Sequence, residues 1–351
     1  MSITNKLPVA CQRSSQSSIS NQIIDDRPRA SRFIKALTAG TIDLDQLKKL
    51  GWSGISAESR ANVWLVLLQV LPVSVDLWQI TLNKRLAAYR DLVQQFWTDS
   101  DATTTTTPQM QNTLKQIRKD APRTQPGFPL FQHTKLQEMI IRVLYIWAIR
   151  HPATGYVQGI NDLLAPFIFV FFSETFSGDF YKVQLEAIDD ATFELMESKC
   201  FHCLTKIMEM VPDMYLFGQP GIQRMIYRLE QLIKKIDVSL YQHFSNQELQ
   251  FVQFAFRWMN CFLIREMPLE VIVRLWDTYL SDENNTGFTV FHVYVSAALL
   301  MFYSPHLKTL EFQELMLFLQ NMPTKQLSNR DIESILSQSF VYQSIFNNTK
   351  F

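Results

Sequence analysis

Apolar residues recur along this chain at intervals of three and four, and proline or glycine breaks the runs. In "SAESRANVWLVLLQVLP", Val63, Leu67 and Leu71 fall on one helical face and Pro72 closes the run. "TIDLDQLKKLGW" offers Thr41 or Asp43 as a helix cap and Gly51 as a stop. An amphipathic helix is predicted from Leu77 to Trp97, and another over "TKLQEMIIRVLYIWAIRHP" with Leu136, Ile140, Val143, Leu144 and Trp147 together and Pro152 ending it. The apolar stretch from Leu163 and an acidic helix around Asp189 to Lys199 follow. "GIQRMIYRLEQLIKKI" carries the clearest stripe, from Ile222 through Ile236, and such stripes are more often core than binding face. "SNQELQFVQFAFRWMNCFLI", "LEVIVRLWDTYL" and "TVFHVYVSAALLMFY" read as further buried helices, with "SDENNTG" as a loop. No run alternates with period two and no fixed-period repeat is present. The prediction is an all-α fold.

Length and composition refine this picture. At 351 residues the chain exceeds what one core usually supports, so two packed helical subdomains are expected. Residues 1–30 are polar, rich in Ser, Gln and Asn, and read as a disordered tail. Arginines flank Ser31, which would suit a phosphorylated serine, although a solvated linker explains the same run. "TDSDATTTTTPQ" is a polar low-complexity loop. Hydrophobic residues make up 47% and charged residues 19%, as in ordinary globular proteins, and 26 Phe imply an aromatic-rich core. With 33 basic and 33 acidic residues, nucleic acid is not expected as the main partner. Four sparse cysteines, Cys11, Cys200, Cys203 and Cys261, suit reduced thiols in the cytoplasm. Neither a secretory leader nor a lipidation box is read at the ends. The longest apolar run, Leu163 to Phe172, is too short to cross a bilayer, so no direct membrane span is expected.

Most familiar chemistry is missing. There is no GxxxxGK[ST], GxGxxG or HExxH. "CFHC", Cys200 to Cys203, has no second ligand pair and lies in a helical stretch, so no metal is assigned. Two polar side chains stand out by their mounting. In "IRKDAPRTQPGF", Arg123 lies between Pro122 and Pro126, which are expected to push Ala121 and Gln125 towards extended backbone, with Gly127 allowing a tight turn. In "HPATGYVQGINDLL", Gly155 and Gly159 bracket Tyr156 and Gln158, while Asn161 and Asp162 are expected to cap the next helix. Turn chemistry alone favours a plain helix–helix corner there, with Gln158 capping backbone groups. Together, though, the pair fits phosphoryl transfer to water. Arginine neutralises charge on the transferring group, and a carboxamide both accepts from the water and donates to an oxygen. Between Thr113 and Arg150 seven basic residues face two acidic ones, a net of +5, which suits an incoming triphosphate or, equally, a solvated face.

"IRKDAPR" and "YVQ", their finger positions 35 residues apart, resemble the IxxDxxR and YxQ motifs of the TBC-domain GTPase-activating proteins for Rab GTPases. The resemblance runs from about Leu44 to Phe346 and includes "WSGISAESRANVW", "RWMNCFLIRE" and "RLWDTYL"; it is greatest with the member-twenty-two branch. It implies two helical lobes, an N-terminal one over 31–205 carrying both finger loops and a C-terminal one over 206–351. It also implies Arg123 as an arginine finger and Gln158 as a glutamine finger, both supplied in trans. Ile117, Asp120 and Tyr156 match the surrounding motif residues, Asp120 to orient basic groups and the other two to anchor the loops. Gly159, Asn161 and Asp162 lie in the same element, and Arg60 would support the site. Trp276 and Asp277 fit a buried helix junction better than chemistry. Ser56 and Ala57 stand where relatives commonly have a proline. The implied partner is a Rab-family small GTPase, which brings its own GTP and Mg²⁺; the chain needs no cofactor and has no catalysis of its own. Residence would be cytoplasmic, peripheral at Golgi or endosomal membranes through that partner. Two alternatives stay open: a non-catalytic helical scaffold for Rab GTPases or adaptors, and a cysteine or zinc hydrolase using Cys200 or Cys203.

Overall fold

A computed structural model of the chain describes residues 27–97, 107–175, 180 and 184–347. Most of the expected tail, Cys11 and the Thr-rich loop lie outside the described residues. Order starts earlier than expected, because Arg27–Leu37 is already helical (α1) and takes in Ser31. Then come α2 (Leu44–Gly51), α3 (Ala57–Leu67), α4 (Trp78–Phe96), α5 (Pro108–Asp120), α6 (Thr134–Arg150), α7 (Leu164–Thr175) and α8 (Asp190–Met210). The second half holds α9 (Pro220–Ile236), α10 (Val238–Asn246), α11 (Val252–Asn260), α12 (Leu269–Leu280), α13 (His292–Leu307), α14 (Phe312–Gln320) and α15 (Asn329–Phe346). No strand occurs among the described residues, only one isolated bridge between Thr41 and Ser74.

Local chemistry explains the ends. Asp43 caps α2 by accepting from the Gln46 amide, and α3 stops well before Pro72. The stretch from Ser245 to Ile264 is not one helix. Glu248 breaks it with φ +54, and α11 ends at Asn260 because Phe262 and Leu263 both take left-handed backbone.

Helix α7 is apolar nearly all round, and that composition puts it at the centre. It packs against α3, α8 and α12. Trp64, Phe167, Trp276 and Phe288, all essentially buried, form an aromatic chain through tilted and edge-on contacts at 5.0–5.9 Å. Gly287 lets the next helix start hard against α12: an added Cβ would fall 2.1 Å from the Tyr279 carbonyl oxygen. The segment Gly287–Leu307 is long and apolar enough to cross a bilayer, but 72% of its 18-residue apolar stretch is buried inside the protein, where it serves as core. Cys200 and Cys203 also belong to the core. Burial pushes both thiols up, while His202 faces the Arg85 carbonyl. No group of three metal-binding side chains occurs among the described residues.

Candidate functional site

The arginine loop grows out of a helix. Thr107 caps α5, with Pro108 in its first turn, and after Asp120 the chain tightens into a 3₁₀ turn over Ala121–Arg123. The rigid arm is therefore a helical extension. Ala121 is helical, not extended, and its amide still reaches the Ile117 carbonyl. Gln125 is not extended either. It makes the turn itself at φ +46, with its carbonyl accepting from Phe128 and its side chain donating to the Ile264 carbonyl at 3.4 Å. Ile117 is fully buried and anchors the turn. The Arg123 side chain is 68% exposed. Its Nη1 lies 3.8 Å from Oδ1 of buried Asp120, an ion-pair distance too long for a hydrogen bond.

The glutamine loop is irregular. Helix α6 ends at Arg150, the ring of the following His151 stacks on Trp147 at 4.4 Å, and residues 152–163 form turns and irregular backbone up to α7. Gln158 is exposed, and its carboxamide has no hydrogen-bond partner among the described residues, so it does not cap backbone groups.

Below the surface the two loops are tied together. Asn161 is fully buried. Its Nδ2 donates to Thr124 Oγ1 at 2.9 Å, and its Oδ1 accepts from the Gly159 amide at 3.1 Å. One side chain thus links the neighbour of Arg123 to the neighbour of Gln158. The Tyr156 hydroxyl lies 3.0 Å from Asp120 Oδ2 and 3.2 Å from Asn161 Oδ1, and its single proton serves one at a time. Gln116 also donates to Asp120 Oδ2. Burial and the nearby Asp120 raise the Tyr156 pKa, so the phenol stays a donor. Among the described residues neither the Asn161 nor the Asp162 side chain caps the helix that follows. Asp162 turns elsewhere. It accepts from Arg265 Nε at 2.9 Å, with Cys261 Sγ at 3.6 Å. Burial pushes its carboxyl up to about 6, although Arg265 pulls the other way.

Ile117, Asp120, Arg123, Tyr156, Gln158, Gly159, Asn161 and Asp162 therefore belong to one constellation. Arg60 does not join it. Its guanidinium bonds Asp277 at 3.1 Å and the Ile55 carbonyl at 2.6 Å. Asp277, fully buried, also accepts from Trp64 and the Ile55 amide. Here Arg60 clamps α3 to α12. The basic rim thins as well, because Arg142 forms a two-pronged pair with buried Glu197 and Lys135 pairs with Asp190. Lys115, Arg118 and Lys119 stay exposed on the helix that carries Arg123. Sequence reading assigned no role to Thr124, Gln125, Asn260 or Arg265. The signal available for the last two was polar residues inside the apolar run "RWMNCFLIRE".

A family model described as the Rab-GTPase-TBC domain matches residues 57–308. The chain belongs to the Rab-GTPase-TBC domain family. It is 40% identical to the GTPase-activating protein gyp1 of Schizosaccharomyces pombe, over 91% of this chain and 62% of that protein. It is 38% identical to human TBC1 domain family member 22B, over 92% of this chain and 63% of that one. The chain thus spans less than two thirds of the length of these relatives. Among solved structures, the crystal structure of the Ypt/Rab-GAP domain of Gyp1p is similar with a TM-score of 0.85 and 40% identity, covering 91% of this chain and 99% of that domain. A Chlamydomonas flagellar RabGAP TBC domain, at 18% identity and a TM-score of 0.62, shares the fold. The all-α TBC fold and the member-twenty-two likeness read from the sequence are both borne out.

Proposed function

We propose that this protein accelerates GTP hydrolysis by a Rab-family GTPase, supplying Arg123 and Gln158 in trans. One observation carries the reading: two exposed polar side chains project from loops that a single buried asparagine ties together. The names of the similar proteins, GTPase-activating proteins and a Ypt/Rab-GAP domain, support it. The partner brings GTP and Mg²⁺. Gln158 accepts a hydrogen bond from the attacking water and donates to a γ-phosphate oxygen. The Arg123 guanidinium neutralises charge that builds as the bond to the leaving diphosphate breaks. Asp120 holds the guanidinium near its loop until the phosphate takes over. The fold supplies placement and charge, and the partner supplies the nucleotide.

The reading keeps a two-lobe division, 31–205 and 206–351, although α8 runs unbroken through position 205 and so joins the lobes as one rod. It also keeps cytoplasmic residence, peripheral at Golgi or endosomal membranes through the Rab partner. The test is single-turnover GTP hydrolysis across a Rab panel. Wild type should accelerate at least one Rab, and Arg123→Ala and Gln158→Ala should each lose most of that acceleration with unchanged helical circular dichroism. Binding that ignores aluminium fluoride, with no acceleration of any Rab, would leave only the scaffold reading.

A further inference from the structure

The corner that follows α11 touches both loops. Asn260, the last residue of that helix, donates from Nδ2 to the Gln158 carbonyl at 3.1 Å. Arg265 and Cys261 reach Asp162, and the Ile264 carbonyl receives Gln125 from the arginine loop. Asn260 is itself held: its carbonyl accepts from the buried Tyr215 hydroxyl at 2.7 Å. Its carboxamide lies so close to Gly159 that an added Cβ there would fall 2.3 Å from Nδ2, and Gly159 has φ +111. Phe262 and Leu263, which follow, have φ +47 and +62. Two adjacent bulky residues in left-handed backbone are strained, and strain persists where the surroundings impose it. Here it turns the chain so that Asn260, Ile264 and Arg265 face the loops together.

Among the described residues only the carbonyl of Gln158 is engaged, which leaves its side chain to a partner. Asn260 Oδ1 is buried without a hydrogen-bond partner among the described residues, where the amide is placed by its donor side. The gap between these residues is a cavity of about 360 Å³, lined by Gln158, Gly159, Gln219, Phe256, Asn260 and Arg265.

We infer that Asn260 is a positioning residue for Gln158: from a helix about 100 residues further along the chain, it fixes the main chain from which the glutamine side chain reaches out. The inference rests on the proposed glutamine finger and says what aims it. Catalysis by a held group is steep in geometry, and a 1 Å displacement can cost about a hundredfold.

The test uses the full chain and a Rab substrate in single turnover. Asn260→Asp keeps the shape but sets an oxygen against the Gln158 carbonyl, and Asn260→Ala removes the contact. Both should lower the saturating rate by roughly 10- to 100-fold while leaving the half-saturating GTPase concentration unchanged. In the Gln158→Ala background neither should cost anything more. Added to Arg123→Lys, both should keep their full cost. Hydrogen exchange reports without any substrate: Asn260→Ala should speed exchange in residues 155–163 and leave residues 117–121 as they were. A rate within twofold of wild type, an equal cost in the Gln158→Ala background, or unchanged exchange in residues 155–163 would overturn the proposal. If Gln158→Ala alone costs nothing, the finger reading fails first and this inference goes with it.

Discussion

The arginine loop and the glutamine loop do the same job by opposite means. Arg123 rides on the end of α5, and its main supports lie within a few residues: buried Ile117, buried Asp120, and a 3₁₀ turn that continues the helix. Gln158 stands on irregular backbone, and its supports come from elsewhere: Asn260 and Arg265 about 100 residues later, and Thr124 through Asn161. A helix end carries its own hydrogen bonds and needs little help to be rigid. A turn with two left-handed glycines has no ladder and becomes rigid only if tertiary bonds make it so. The two proposed fingers should therefore fail differently.

Arg123→Ala should show the largest effect. Loss of an arginine finger lowers the rate by about 10³–10⁵, roughly 4–7 kcal/mol of barrier. Arg123→Lys should recover little of it, because an ammonium cannot offer the planar fork. Thermal stability should hardly move, since the side chain is exposed and its ion pair with Asp120 is long. Single-turnover hydrolysis beside a melting curve checks both halves. A lysine variant near wild-type rate would mean that charge alone is needed.

Gln158→Ala comes next, at about 10²–10³ in rate, the usual cost of removing one aimed donor from a transition state. It too should leave stability alone. Asn161→Ala separates the loops. It strips partners from the buried Thr124 hydroxyl and from the Gly159 amide, so it should cost about 1–3 kcal/mol in stability and slow the reaction through both fingers. Urea unfolding with the same kinetic assay reads both. If Asn161→Ala lowers stability but spares the rate, the tie is only structural, and the contrast between the loops loses its link to function.

The same contrast explains what the sequence could show. The apolar stripes of α6 and α9 were legible because helical burial is periodic, α7 stood out as an unbroken apolar stretch, and Arg123 was legible because the prolines and motif residues around it are close in sequence. Gln158 stood out through its glycines, but its supports did not, because Asn260 and Arg265 acquire meaning only once α11 is folded beside it. Local rules also misread the proline arm. Pro122 and Pro126 argued for extended neighbours, but the helical path of α5 continues through Ala121, and Gln125 takes left-handed backbone while its side chain reaches the Ile264 carbonyl. Arg60 was misplaced for a related reason: nothing in the sequence announces that a buried Asp277 will claim it.

The smallest expected effect lies beneath the glutamine loop. Asp162 titrates near 3.8 in an unfolded chain, and burial pushes it up to about 6 in the folded one. Between about pH 4 and 6 the folded state holds more protons, so this group's contribution makes the protein less stable as pH rises through that window. Above it Asp162 is ionised and opposite Arg265, with Cys261 beside it and Asp120 adding repulsion. Asp162→Asn cannot titrate. Its stability, measured by urea unfolding at half-unit steps from pH 4 to 7.5, should lack this downward step of about 1–3 kcal/mol. The difference between the two proteins should be flat above pH 7. Parallel curves across the whole range would show that Asp162 is already ionised at pH 4, with the Arg265 pairing outweighing the burial. The glutamine loop would then rest on a permanent ion pair, as self-sufficient in this respect as the helix end that carries Arg123.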